Sequence, residues 1–204
     1  PKSKFAALLV PGQVLEVVFY MKSTRSVQTL SEASFMLKLN HLRTDVEKMA
    51  LAVTTMELVK QVVHDNEVNE PLFAFVVKML RWIDGAENVS KKIFPYIQMR
   101  VLASIGIGLQ QGDPKNEEVV DGYMNIESGT LSRQSEGDTS VRLTPVQFRF
   151  LIECLKRSGT SILKMDLKNS ELSELIEYLD RYIRYHVEGV KPRRSDEIFD
   201  QILR

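Results

Sequence analysis

The sequence predicts an α+β fold, in which a strand-rich beginning leads into a mainly α-helical body with a small β-hairpin insertion. Three observations predict it. Residues 13–21 (QVLEVVFYM) and 27–37 (VQTLSEASFML) are rich in β-branched and aromatic residues on either side of a polar run, KSTRS, which is the pattern of a hairpin. From residue 40 onward, five runs carry apolar residues at helical spacing. Between residues 109 and 143 that spacing lapses into an acidic stretch with Gly and Ser.

In chain order, Pro11-Gly12 punctuates the start of the first long strand. A two-stranded hairpin is marginal by itself and needs further strands or a helix to pack on. The chain begins at Pro1, in what reads as the middle of an element, and some 37 residues are too few to close a barrel. Residues ahead of Pro1 are therefore expected.

The helix expected over residues 40–63 organises the rest. Its polar positions form a narrow stripe, Glu47, Thr54 and Gln61, flanked by Arg43, Thr44, Lys48 and Thr55; from Val46 on, nearly everything else is apolar. A surface helix carries an apolar face of roughly 100°, so this one has to be covered on several sides. At 1.5 Å per residue it would span roughly 36 Å, the width of a small domain.

Asn69 is an N-cap with Glu70 and Pro71 in the first turn, and the helix it starts runs to about Asp84, where Gly85 ends it. A third helix over about 90–105 presents Ile93, Phe94, Ile97, Val101, Leu102 and Ile105, and Gly106-Ile107-Gly108 stops it. Within residues 118–132 two short strands about Glu127-Ser128-Gly129 fit a hairpin, and residues 132–140 (SRQSEGDTS) read as a mobile loop. Thr144-Pro145-Val146-Gln147 is a capping box with Pro at the first helical position. The helix after it runs to about Arg157, and a last long helix over about 170–188 repeats Leu172, Leu175, Ile176, Leu179 and Ile183. The tail is basic, then amphipathic.

Composition excludes more than it assigns. A hydrophobic fraction of 44% and a charged fraction of 26% over 204 residues are those of an ordinary globular protein with a sizeable core. One cysteine, Cys154, allows no internal disulfide and no zinc site built on several thiolates. No run of 18 apolar residues would cross a membrane. Basic and acidic residues balance at 27 each, but they are segregated. Residues 1–45 carry six cations against three acids, 112–140 two against seven, and 181–194 five against one. Two basic ends around an acidic middle can form a patch for polyanions; on charge alone, solvated surface explains them as well.

Catalytic constellations do not emerge. His41, His64 and His186 are far apart, without ligand spacing. Gly106-Ile107-Gly108 lacks the third glycine and the strand–helix context of a dinucleotide fingerprint, and no phosphate loop or GxSxG elbow is present. Cys154 sits in a helical apolar pattern and reads as a core thiol. An enzymatic role is not expected.

The order of the pieces carries a resemblance. PKSKFAALL leads into PGQVLEVVFY, a polar turn and TLSEASFM; then come LRTDVEKMALA, MELV, NEPLF, a leucine-rich helix and IQMRVLASIG. In these motifs the chain resembles the bacterial recombination mediator and DNA repair family RecO. The likeness is densest over residues 4–107 and rests on element order beyond Gly108. It implies an incomplete N-terminal OB-fold β-barrel over residues 1–38 and a mainly α-helical domain over 39–204, with the insertion at about 109–143. Where many relatives place four zinc cysteines in that insertion, this chain has none, so no metal and no cofactor is expected and the hairpin is a metal-free remnant.

The resemblance also implies a cytoplasmic, nucleoid-associated bacterial protein that binds single- and double-stranded DNA and anneals complementary strands. It would help load the recombinase onto strands coated by single-strand binding protein, with RecR as partner and no membrane. The phosphate contacts expected are Lys2, Lys4, Lys22 and Arg25 around the barrel, Arg43 at the head of the central helix, and Lys191, Arg193 and Arg194 in the tail. Phe19 and Tyr20 alternate across their strand, so at most one faces a DNA groove and the other belongs to the core. The rival expectation is a helical adaptor acting only through protein–protein contacts. Basic residues clustered on one face would favour DNA; an open apolar groove beside scattered cations would favour the adaptor.

Overall fold

β1 (Val14–Tyr20) turns back onto β2 (Thr29–Leu37) as a two-stranded antiparallel ribbon, with Val17 opposite Ala33. The computed structural model describes residues 4–63, 67–112, 121–156 and 161–202. The ribbon's register slips twice, between Val14 and Leu15 and between Val18 and Phe19, leaving Met36 and Ser31 as the extra residues of β2. Bulges of this kind bend and twist a ribbon, and the Lys4 ammonium takes up the Ser31 carbonyl at 3.2 Å. The base of the ribbon is anchored where Gly12 adopts φ 83°, with Leu42 and Ala52 so close to its Cα that a Cβ would meet them at 3.2 and 3.4 Å.

Beyond that base the ribbon is open. Phe19 is 48% exposed and Tyr20 66%, which corrects the expectation that one of them is core. Among the described residues this sheet has only two strands.

A single helical turn, His41–Arg43, precedes α1 (Val46–Val62), so the helix expected from residue 40 starts at Val46, where its apolar run begins. Asp45 decides the start, because its carboxylate accepts the Glu47 and Lys48 amides at 2.9 and 3.1 Å. α2 (Glu70–Gly85) is capped by Asn69, which accepts the Leu72 amide at 3.0 Å, as the sequence predicts. α3 (Ile93–Ser104) stops where Gly106 takes φ 85°.

Four short strands follow: β3 (Gln110–Gln111), β4 (Gly122–Asn125), β5 (Thr130–Ser132) and β6 (Val141–Leu143), in the order β3-β5-β4-β6. The β4–β5 pair is the expected hairpin, with Met124 opposite Leu131; residues 113–120, including the start of the segment assigned to it, lie outside the described residues. The flanking strands widen that hairpin into a sheet. Residues 133–140 are tied down, against expectation. The Asn125 amide nitrogen donates to Ser132 Oγ (2.9 Å), Thr130 Oγ1 (3.1 Å) and the Gln134 carbonyl (3.2 Å), while its oxygen accepts from Ser140 Oγ (2.6 Å) and the Glu136 amide (3.1 Å). Pattern reading sees only polar residues there; a buried Asn with acceptors and donors on both sides turns them into a network.

α4 (Pro145–Leu155) opens on the expected capping box, with Thr144 Oγ1 and Gln147 Oε1 each accepting the other's amide. α5 (Asn169–His186) and α6 (Asp196–Ile202) complete the chain. The most enclosed helix is α3. Nine of its twelve residues are buried, against eight of seventeen in α1, and α1, α2, α4 and α5 all pack on it. α1 is covered on several sides, as expected, yet Val46 at its head is 63% exposed. Part of its polar stripe is what lies inside: Thr54 is buried under Ser195, at the start of α6.

Cys154 is a core thiol whose pKa is pushed well up, by burial first and by neighbouring Glu153 second. No helix is long and apolar enough to cross a membrane among the described residues.

Candidate nucleic-acid interface

The turn joining β1 to β2 is a shaped one. The Gln28 side chain braces it: its oxygen accepts the Lys22 amide at 2.8 Å, and its nitrogen donates to the Arg25 carbonyl at 2.7 Å and the Lys22 carbonyl at 3.1 Å. Lys22 and Arg25 are exposed on this frame. With Tyr20, Val27, Gln28 and Thr29 they line a hollow of about 240 Å³. The structure thus brings together two of the residues expected to meet phosphate.

The other expected contacts are dispersed. Lys2 lies outside the described residues. Lys4 is exposed, but its ammonium is held by the Ser31 carbonyl and over the Phe5 ring, 4.7 Å from the centroid. Arg43 is exposed at the end of the turn before α1. Lys191 and Arg194 are exposed on the segment between α5 and α6, and Lys191 lines a crevice with Leu58 and Ile183, away from the β1–β2 turn.

Arg193 is a correction. Only 5% of its side chain is exposed. Nη1 and Nη2 donate to the two Asp180 oxygens at 2.6 Å each, and Nε donates to Asp196 at 2.8 Å. The guanidinium lies 5.0 Å from the centroid of the Phe94 ring. Burial pulls its pKa down, but the bonds to Asp180 and Asp196 more than offset that and leave it raised. Burial likewise raises the pKa of Asp196, against the pull of Arg193. This arginine fastens the tail to α5 and α3 and has no face left for a phosphate. Its Lys-Pro-Arg-Arg context contained no hint of the carboxylate thirteen residues earlier.

Two features escaped pattern reading. Glu57 Oε2 accepts both the Ser195 amide (2.9 Å) and the Ser195 hydroxyl (2.7 Å), while Thr54 donates to the same hydroxyl at 3.0 Å. Lys91, almost fully buried, reaches Asp200 and Ser173. These bonds hold α6 on the body, where Phe199 packs on Phe94. The second feature is an apolar groove of about 610 Å³ between α1 and α2, lined by Met56, Val59, Val63, Phe73 and Val76 among others, with Gln13 at its edge. The buried Gln13 Nε2 has no hydrogen-bond partner among the described residues. An open groove was the signal set out for the adaptor reading.

The histidines are not gathered. His41 is exposed beside Asp84, His186 Nε2 bonds the Ile126 carbonyl at 2.7 Å, and His64 lies outside the described residues. Among the described residues, no three of His, Cys, Asp and Glu are grouped where they would hold a metal ion.

Comparison with known proteins agrees with the order of elements. The DNA repair protein RecO of Salinibacter ruber is 25% identical over 205 residues, covering 99% of this chain and 79% of that protein. The protein of the same name from Chloroherpeton thalassium is 24% identical over 220 residues, covering 100% and 84%; that from Exiguobacterium sp. is 25% identical over 211 residues, covering 100% and 81%. Residues 43–196, from the turn before α1 to the first residue of α6, match the model of the family described as recombination protein O C terminal, and the chain belongs to that family.

Proposed function

We propose that this chain is a DNA-handling protein of recombinational repair that works by binding, without catalysis. The observation that carries the reading is the pairing of family membership with the β1–β2 turn, where two cations and an exposed aromatic share one hollow. In this reading β1 and β2 are strands of an OB-fold domain over residues 1–38, and residues 39–204 are a helical domain with an insertion at about 109–143. Such folds bind single strands through a groove of cations and aromatic stacking faces. The finer function is to bind single- and double-stranded DNA, anneal complementary strands, and help load recombinase onto strands coated by single-strand binding protein, with RecR as a further partner. Annealing needs cations that offset phosphate repulsion between two strands without gripping either rigidly. Exposed Lys4, Lys22, Arg25, Arg43, Lys191 and Arg194 suit that role; Arg193 does not. The setting of such work is the bacterial cytoplasm, at the nucleoid.

The test is fluorescence anisotropy of a labelled single-stranded oligonucleotide titrated across salt. Binding should weaken steeply with salt, with a log–log slope of about −0.7 per phosphate neutralised. Changing Lys4, Lys22, Arg25 and Arg43 to Ala should make the slope shallower. Absence of binding at low salt would overturn the reading and promote the second one, an adaptor that acts through the α1–α2 groove. That groove, with the unpartnered Gln13 donor, is the observation that favours it.

A further inference from the structure

Tyr20, Met21 and Val27 are 66, 71 and 78% exposed at the end of the β1–β2 ribbon. Large side chains this open on a turn braced by Gln28, interleaved with Lys22 and Arg25, make a surface that is both apolar and cationic. Gln28 cannot read a ligand, because both ends of its amide are spent on the turn's own backbone. What remains of the residues lining the hollow is Tyr20, Val27, Thr29 and two cations. At about 240 Å³ the hollow is smaller than the roughly 300–1,000 Å³ of pockets for drug-sized ligands. It has room for one planar ring system, not a stack of them.

From this we infer that the β1–β2 turn is a stacking subsite for a single unpaired nucleotide, its base on the Tyr20 ring and its flanking phosphates on Lys22 and Arg25. The inference rests on the DNA-handling reading above and adds to it a one-nucleotide subsite, a stacking role for Tyr20 and a selectivity. Stacking on an aromatic ring is open to every base, since each has a π face, and the amide that would discriminate between base edges is occupied. The subsite is therefore indifferent to sequence. It is not indifferent to strandedness. A base inside a duplex is already stacked on both sides and reaches the ring only if it is unpaired, so Tyr20 favours single strands while Lys22 and Arg25 serve both forms.

The experiment compares the full chain with Tyr20→Ala, Tyr20→Phe and the double variant Lys22→Ala/Arg25→Ala. Anisotropy is read with a single-stranded oligonucleotide, a duplex of equal length and an abasic strand that keeps the phosphates. Tyr20→Ala should weaken single-strand binding by about five-fold or more, from the typical strength of one base–aromatic stack. It should leave duplex binding and the salt slope unchanged, and Tyr20→Phe should behave as the parent. The unaltered chain should bind the abasic strand as weakly as Tyr20→Ala binds the normal one, an arm that needs no variant to fold. The double variant should lower the salt slope on both single strand and duplex. If Tyr20→Ala and the abasic strand both bind as the parent pair does while the double variant weakens, the subsite is overturned and the DNA reading stands. If the unaltered chain binds no strand at low salt, both fall.

Discussion

Arg193 and Asp180 face each other through two parallel N–H···O bonds, Nη1 to Oδ1 and Nη2 to Oδ2, each 2.6 Å long. The fork-on-fork geometry is the strong form of a guanidinium–carboxylate pair. Asp180 is held from a third direction by Gln98 of α3, whose Nε2 donates to Oδ1 at 2.7 Å. The pair therefore ties the tail, α5 and α3 together at one point.

Removing one partner of a buried ion pair strands the other charge, and typically costs about 3–5 kcal/mol. Arg193→Ala and Asp180→Ala should each destabilise the fold by about that much in urea denaturation. The double variant should lose clearly less than the two losses combined, because neither leaves a stranded partner. An additive result would show that the two groups do not depend on each other.

Ser195 gives a second prediction. It donates twice to Glu57 and accepts once from Thr54, across a sequence separation of 141 residues in the latter case. Ser195→Ala removes the hydroxyl and leaves buried Thr54 without that acceptor, so stability should fall by about 1–3 kcal/mol. Thr54→Val in the Ser195→Ala background should recover part of it, since the orphaned hydroxyl is then gone. Denaturant midpoints of the four proteins in this cycle measure both effects.

The loop over residues 133–140 supplies a third. Asn125→Ala should release it, seen as faster hydrogen exchange at the Glu136 amide, which now donates to Asn125 Oδ1. The same loop has a pH signature. Hydrogen bonds from Ser128 first and Thr130 second hold the Glu136 pKa below its ordinary 4.5. A lowered carboxyl stabilises the folded loop above the unfolded value and loses that contribution as pH falls through the lowered one. Acid should therefore lower the protection of the amides in residues 133–140, relative to their intrinsic exchange rates, below about pH 4.5, and Glu136→Gln should flatten that response.

How much of this was legible depended on distance along the chain. Asn69, Thr144 with Gln147, and Gly106 were readable as cap, capping box and stop because each acts on an amide or a backbone angle within three or four residues. The β1–β2 and β4–β5 hairpins were readable for the same reason. The start of α1 was placed several residues early because the separate turn His41–Arg43 was read as part of it, although the apolar run begins only at Val46, just after the Asp45 side chain that captures the first amides. Of the candidate site, the Lys22–Arg25 turn was found, but the bracing by Gln28 was not, since nothing in a run of polar residues says which one folds back on the backbone.

The chain by itself determined the α+β class, the order of its main helices and of the two hairpins, and the capped helix ends at Asn69 and Thr144, all of them consequences of local hydrogen bonding and of apolar period. Tertiary structure alone decided that α3 and not α1 is the most enclosed helix, that Thr54 in a polar stripe is buried under Ser195, and that Arg193 in a basic tail is an internal strut while Lys22 and Arg25 remain exposed. Charge and polarity state what a side chain requires. Only packing of segments distant in sequence settles whether water, a carboxylate of the same chain or an outside phosphate supplies it.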